Sequence, residues 1–403
     1  MIQRTKYLKK IIPFIDKPLI KIIIGVRRSG KTVLLSQISE YIAATGVESD
    51  RIIELNFESF ANRKYQNADV LYAFILKKSK DIAGKKLYLF FDEIQELSDW
   101  QKVIDSFTVD IDCDIYITGS NSNMLSGELA TYIAGRYVHF TVYPFSFAES
   151  VEFAKQIGHD MTKEELFDNY LQFGGLPQRF FLDDVGSVRS YIDDVFNTIV
   201  IKDIITRNKI SNVDLIQRLT AFLLDNVGNP FSANAICNKL RSEGVKTTVA
   251  TLMNYIASIK NAMVVITSPR YDLKSKALLS TNEKYYATDL GLRNNVKSSD
   301  IIDYNKLYEN TVFIEMLSRG YEIHVGKFGD YEVDFICLKG KEKIYIQVAY
   351  LLADQTVIER EFRPLLKIED NFPKYVISGD KHDFSANGII HKNIIDFLLS
   401  SSL

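Results

Sequence analysis

The feature that most narrows what this chain can fold into is the run GVRRSGKT at positions 25–32. It stands directly behind an apolar, β-branched stretch, residues 19–24, and directly ahead of the helical stretch TVLLSQISEYIAA. Strand, glycine loop and helix in that order form a phosphate cradle. Glycines let the loop wrap tightly and turn its N–H groups towards an anion, and the helix start adds partial positive charge. In this arrangement Gly25, Val26, Arg27, Arg28, Ser29 and Gly30 form the loop. Lys31 reaches the terminal phosphates, and the Thr32 hydroxyl is placed for Mg²⁺. The alternative, a chance glycine loop, would need no acidic partner downstream.

That partner is present. In LYLFFDEIQ (87–95) five apolar residues make a buried strand, and Asp92 emerges at its C-terminal end, the edge at which open α/β sheets bind ligands. Asp92 is the expected Mg²⁺ ligand, and Glu93 the group that polarises the attacking water. Residues 113–121 form a further strand, whose end brings Ser120 and Asn121 beside the site as γ-phosphate or water contacts, or as ordinary turn residues. Arg136, ahead of a strand over 137–146, is a candidate finger for a neighbour's nucleotide, which requires a homo-oligomer, or else a surface arginine. With a strand at 51–59, the pattern alternates strands and helices and predicts an α/β fold with a parallel sheet. The expected ligands are therefore ATP and Mg²⁺.

A chain of 403 residues is too long for one core, and four parts are legible. They are a P-loop core over 1–150, a helical lid over 151–210, a winged helix over 211–295 and an α/β part over 296–403. The winged helix is read from three helices followed by a hairpin. The net charge of −2 gives no global field for nucleic acid, although a balanced total can hide a basic face. Cys113, Cys237 and Cys337 form no CxxC pair, so reduced thiols are expected and not a zinc site or a disulfide framework. The N-terminus has no secretory pattern, and no stretch is apolar enough to span a bilayer; the expectation is a cytoplasmic chain with no membrane contact.

Together, GVRRSGKT, LYLFFDEIQ, TGSNSNMLSGEL, AGRYVHFTVYPFSFAE, FGGLPQ and the later YYATDLGLRN, YENTVFIEML and YEVDFICLKG...YIQVAY resemble prokaryotic AAA-type ATPases, close to the signal-transducing branch, that carry a C-terminal DUF4143-type domain. The resemblance covers nearly the whole chain. It implies a winged helix between core and tail, and a Gly-x-Pro motif, here Gly175 to Pro177, that approaches the nucleotide. It also implies a restriction-endonuclease-like tail. There an acidic residue on a helix, an Asp and a (Asp/Glu)-x-Lys motif hold Mg²⁺ and orient water. Glu315 and Asp334 match, but Gln347 replaces the carboxylate and Ala349 the lysine, so cleavage is expected to be lost or weak.

In the winged helix, Lys246, Thr247, Thr248 and Asn254 are the groups available on the expected recognition helix, and Arg270, Tyr271, Lys274 and Lys276 lie in the wing. Double-stranded DNA is one candidate partner and another protein is a second. The sequence thus favours an ATP-hydrolysing protein that couples nucleotide state to these modules. The rivals are a nucleotide-gated DNA-binding or protein scaffold with little turnover, and a Mg²⁺-dependent DNA nuclease.

Overall fold

The computed structural model describes residues 2–125, 133, 135–296 and 303–400. The chain folds into two compact units, Met1–Val142 with Asn261–Met263, and Tyr143–Lys260 with Val264–Leu403.

The first unit is an α/β layer structure. Its strands are β1 (Ile20–Ile24), β2 (Ile52–Asn56), β3 (Leu87–Asp92), β4 (Cys113–Gly119) and β5 (Tyr137–Thr141), and its helices are α1 (Thr5–Ile11), α2 (Lys31–Ala44), α3 (Ala68–Asp81) and α4 (Trp100–Asp110). All pairings are parallel, in the order β2-β3-β4-β1-β5. β1 and β3 are buried along their whole length, which is why they read as continuous apolar runs instead of alternating ones. The exception is Lys21 inside β1. It is fully buried, and its ammonium pairs with Asp114 of β4, which Tyr116 also bonds at 2.8 Å. Burial pushes the Lys21 pKa down, against the pull of Asp114. The side chains of α2 and α1 pack on this sheet through Leu34, Leu35 and Ile38, and Tyr7, Leu8 and Ile11.

The second unit opens with the helices α5 (Phe147–Gln156), α6 (Lys163–Phe173) and α7 (Val185–Thr198), the last continued by a π-helical stretch, Ile199–Thr206. Both α5 and α6 start with complete capping boxes, Ser146 with Glu149 and Thr162 with Glu165. Three helices follow, α8 (Val213–Asp225), α9 (Ala233–Ser242) and α10 (Val249–Asn261), and then the antiparallel strands β6 (Val265–Asp272) and β7 (Ala277–Ala287). After α11 (Leu290–Asn295) and α12 (Tyr304–Ser318) come β8 (Glu322–Phe328), β9 (Tyr331–Lys339), β10 (Glu342–Val348), α13 (Gln355–Leu366), β11 (Lys374–Ser378), β12 (Ile389–Asn393) and α14 (Ile394–Leu399).

The expected boundary between a winged helix ending at 295 and a tail starting at 296 is not a break in the structure. β6 pairs in parallel with β8, placing Arg270, Tyr271 and Asp272 opposite Val325, Gly326 and Lys327. The hairpin is thereby part of one seven-stranded mixed sheet, β12-β11-β10-β9-β8-β6-β7. The physical reason is edge pairing. A two-stranded ribbon leaves unpaired N–H and C=O groups, and β8 supplies their partners.

Two segments far apart in sequence are locked by one carboxylate. Asp289 caps α11 through Oδ1, which accepts from Gly291 N at 2.9 Å and Leu292 N at 3.2 Å. Its Oδ2 accepts from Gly175 N at 2.7 Å, across 114 residues. Gly174 has φ of +70°, and a Cβ there would lie 2.2 Å from Asp289 Oδ1. A Cβ on Gly175 would meet the Phe145 carbonyl oxygen at 2.1 Å. Hence FGGLP needs both glycines for close packing. Replacing Asp289 by Asn keeps the cap oxygen but turns an NH₂ donor against the Gly175 N–H. We expect Asp289→Asn to destabilise the second unit by about 2 kcal/mol. Urea unfolding should show it as a lower midpoint with an unchanged slope.

Candidate functional site

The turn after β1 is shaped by two positive-φ residues, Arg28 (+68°) and Gly30 (+94°), the second being the N-cap of α2. Ser29 N donates to Val26 O at 3.2 Å, closing the loop. A Cβ on Gly25 would lie 2.3 Å from the Val142 carbonyl oxygen, so only glycine lets the loop leave the sheet at this point. Lys31 is buried and donates to Gly25 O at 3.1 Å and Val26 O at 3.3 Å. Arg4, ahead of α1 and almost fully buried, braces the loop by donating to Ser29 O at 2.9 Å. Arg27 pairs with Glu58 at 3.3 Å, and Arg28 is exposed.

Asp92 emerges from β3 and gathers three donors. Thr32 Oγ1 of α2 lies at 2.8 Å, Asn56 Nδ2 of β2 at 2.7 Å and Thr118 Oγ1 of β4 at 2.5 Å. Thr118 Oγ1 also accepts from Glu93 N at 2.9 Å, which fixes Glu93 in a left-handed backbone, φ +53°. Glu93 lies with Oε1 3.6 Å from Lys31 Nζ and Oε2 2.5 Å from Gln95 Nε2. Burial raises the Asp92 pKa, against the hydroxyls of Thr118 and Thr32. Thus Lys31, Thr32, Asp92 and Glu93, expected together from sequence, are brought together.

Ser120 and Asn121 are buried at the end of β4, the strand beside β1. Asn121 Oδ1 accepts from Asn123 N at 2.6 Å. Its Nδ2 and the Ser29 hydroxyl are buried polar atoms with no hydrogen-bond partner among the described residues. Buried orphans cost free energy unless a ligand meets them. The Asp92 carboxylate at the end of β3, the Lys31 ammonium and Thr32 hydroxyl at the start of α2, and these orphans fit a Mg²⁺-nucleotide.

Other expected residues lie elsewhere. Arg136 stands at the start of β5, the sheet edge opposite the loop, and pairs with Asp105 at 2.9 Å. The Gly175 N–H is claimed by Asp289, and Pro177 starts a 3₁₀ turn, Pro177–Phe181. In the hairpin, Arg270 lies 4.0 Å from Glu332, Tyr271 packs against an apolar cluster that includes Val333 and Ile336, and Lys274 lies over the Phe328 ring. The sheet therefore takes up Arg270 and Tyr271 of the expected wing, leaving Lys274 and Lys276 exposed. Lys246, Thr248 and Asn254 are exposed, and Thr248 Oγ1 accepts from Thr251 N at 3.1 Å.

In the C-terminal part, Glu315 does not join Asp334 and Gln347. It pairs with Arg319 at 2.7 Å, and Arg319 in turn donates to Phe397 O and Ser400 O. The α12 acid whose charge acts on half-buried Asp334 is Glu309. Six residues apart on a helix is about 240° of rotation, so the two acids face differently. Gln347 Oε1 accepts from Asp334 N at 3.3 Å, and Nε2 donates to Glu361 Oε2 at 3.0 Å. Asn56, Thr118, Gln95 and Arg4 were not singled out from sequence. Thr118 was within sight, since it stands two residues before Ser120.

These features define a P-loop ATPase domain of the AAA type, and residues 17–151 match the family described as AAA domain. A Haemophilus influenzae Rd protein described as uncharacterized is 37% identical over 400 residues, 99% of this chain and 99% of that one, and the chain belongs to the same family. A Methanocaldococcus jannaschii protein is 29% identical over 360 residues, 85% of this chain and 77% of that one. Downstream, residues 164–301 match a domain of unknown function, DUF8612, and not the DUF4143-type domain that the resemblance implies. Among solved structures, the Walker-type ATPase of Pyrococcus abyssi shares the fold, with a TM-score of 0.54 and 15% identity, over 73% of this chain and 96% of that one.

The raised pKa of Asp92 has a stability consequence. A carboxyl whose folded pKa exceeds its unfolded value costs stability once pH rises through the folded value, and costs nothing below the unfolded one. Asn can share the Thr hydroxyls without the charge. Ligand-free Asp92→Asn should therefore melt a few degrees above wild type at pH 7.5, with the gain fading towards about pH 4. Calorimetry across that range checks it.

Proposed function

We propose that the chain binds and hydrolyses ATP. The observation that supports this best is the Thr32–Asp92 contact at 2.8 Å. It sets a hydroxyl and a carboxylate side by side at the mouth of a loop that carries Lys31. In this reading the loop N–H groups and Lys31 bind the β- and γ-phosphates. Thr32 and Asp92 hold Mg²⁺, which supplies neutralisation of phosphate charge. Glu93 orients and deprotonates the attacking water, freed from Lys31 when phosphate takes the ammonium. Thr118 is a positioning residue for both acids. Asn121 Nδ2 and Ser29 Oγ are the donors in wait for phosphate oxygens.

Coupling to double-stranded DNA is a finer part of the proposal. It rests on a groove in the three-helix segment lined by Arg241, Lys246, Thr248, Thr251 and Tyr255, with no carboxylate among its lining residues. Such a surface suits phosphate backbone contacts.

ATP turnover is measured with and without double-stranded DNA. Lys31→Ala should lose ATP binding and turnover. Glu93→Gln should keep binding and lose turnover by about 10²-fold or more. Wild-type binding without turnover, in both conditions, would sink hydrolysis and leave a nucleotide-gated scaffold. Turnover indifferent to DNA would remove the coupling alone.

A further inference from the structure

The chain ahead of β1 is strapped to α2 by a single side chain. Gln37 Oε1 accepts from Arg4 N at 2.9 Å, and Gln37 Nε2 donates to Ile2 O at 2.7 Å. The two bonds straddle Gln3 and fix the course of the chain there. From Arg4 onward the chain turns into α1, where Leu8 N donates to Arg4 O at 3.0 Å, and Tyr7, Leu8 and Ile11 pack into the core that α2 shares. Arg4 is therefore held from both sides, by a helix start and by an amide clamp.

The side chain so held reaches one carbonyl of the glycine loop. Arg4 is 1% exposed, its guanidinium lies 4.7 Å from the centre of the Tyr7 ring, and Nη1 donates to Ser29 O at 2.9 Å. Ser29 O and the Gly30 N–H belong to one peptide unit. A trans peptide is planar, with C=O and N–H pointing in opposite directions, so pinning the oxygen fixes where the Gly30 N–H points. A cationic donor on the oxygen also polarises the unit and strengthens its N–H as a donor. Lys31 holds carbonyls at the other end of the loop, Gly25 O and Val26 O. The turn needs such holds, because Arg28 and Gly30 stand at φ +68° and +94° on either side of Ser29. A non-glycine residue in that conformation persists only where its surroundings fix it.

We infer that Arg4 is a positioning residue for phosphate, acting through the Ser29–Gly30 peptide. The inference rests on the reading of the loop as an ATP site. Arg4 does not touch the nucleotide itself, since its side chain has almost no surface to offer a ligand. With Arg4 in place the Gly30 N–H is aimed before phosphate arrives, and binding need not include the ordering of this peptide. Without Arg4 the peptide is free to turn, and only the fraction that faces the ligand binds it. The loss then falls on the phosphates and not on the base. It falls on binding and not on the chemical step, because Thr32, Asp92 and Glu93 keep their partners. Loss of an interaction that is equal in ground and transition states raises KM and leaves kcat unchanged.

The test uses the full chain and measures binding of ATP and of inorganic tripolyphosphate, each with Mg²⁺, by calorimetry, beside steady-state turnover. Arg4→Met keeps a long apolar stem and removes the donor. It should weaken both ligands by the same factor, about tenfold or more. KM for ATP should rise by that factor, with kcat within about twofold of wild type. Arg4→Lys should fall in between, because the charge returns without the planar fork. A loss for ATP with tripolyphosphate unchanged would make Arg4 a determinant of base binding and overturn the inference. Unchanged binding of both ligands, or a lower kcat at constant KM, overturns it equally. If Arg4→Met does not fold by circular dichroism, Gln37→Ala, which keeps the guanidinium and loosens its strap, should show the parallel loss in smaller measure, and unchanged binding in that variant overturns the inference. Wild type that binds neither ligand overturns the ATP reading and this inference together, whereas the other contrary results overturn this inference alone.

Discussion

The first unit depends on how one buried carboxylate is housed. Asp92 ends a strand whose preceding residues, Leu87 to Phe91, are all buried and apolar. Burial alone would drive its proton on. Donors from α2, β2 and β4 oppose that, so the carboxylate ties three elements to the fourth that carries it. Each tie is a polar group that had to come from a strand or helix end, and therefore each constrains where that element stops. The position of the loop relative to the sheet follows, because Thr32 is the second residue of α2, whose first residue is Lys31.

Thr118 shows how this housing turns into geometry for chemistry. One hydroxyl donates to Asp92 and accepts from Glu93 N, which requires Glu93 to adopt a left-handed backbone. A non-glycine residue there is strained by roughly 1–3 kcal/mol and persists only where the surroundings over-determine it. The left-handed turn keeps two successive carboxylates at one site, one against Thr32 and the other against Lys31. Without it, neighbouring residues of an extended strand would point to opposite faces of the sheet.

The first unit was largely legible in the sequence because its signals are local. A strand, a glycine loop and a helix occupy consecutive residues, and Asp92 follows an apolar run long enough to be a buried strand. What was missed there, Asn56 and Thr118, acts through neighbouring strands, and strand order is not written in periodicity. In the second unit the helices were legible from their period and caps, but two assignments depended on contacts made across long loops. The hairpin reads as a free wing until β8, more than 30 residues later, pairs with it. The resemblance points to Glu315 as the helix acid, and nothing in the sequence marks Glu309 instead. Helix rotation decides otherwise, since only one of two residues six apart can face a given strand. FGGLP reads as a loop motif because glycine signals its backbone freedom, while the reason for that freedom, the Asp289 carboxylate, lies 114 residues away.

Asp92 and Asp334 offer a controlled comparison within one chain. Both are acids on strands, Asp92 buried and Asp334 half-buried, and desolvation raises the pKa of both. Around Asp92 the partners are neutral donors, two threonine hydroxyls and an asparagine amide, and they can rotate to accept or to release. The nearest cation, Lys31, is engaged with backbone carbonyls and with Glu93. Such a site can exchange its internal bonds for a metal ion without separating a buried ion pair. Around Asp334 the compensation is ionic: Lys284 lies against Glu309 and Glu332, and removing it would strand those charges at several kcal/mol. Neutral donors leave a carboxylate available, whereas a tethered cation spends it on structure. An aspartate on a strand is thus surrounded by neutral donors in one unit and set beside an ion-paired cluster in the other, and the decisive difference is the charge of the neighbour.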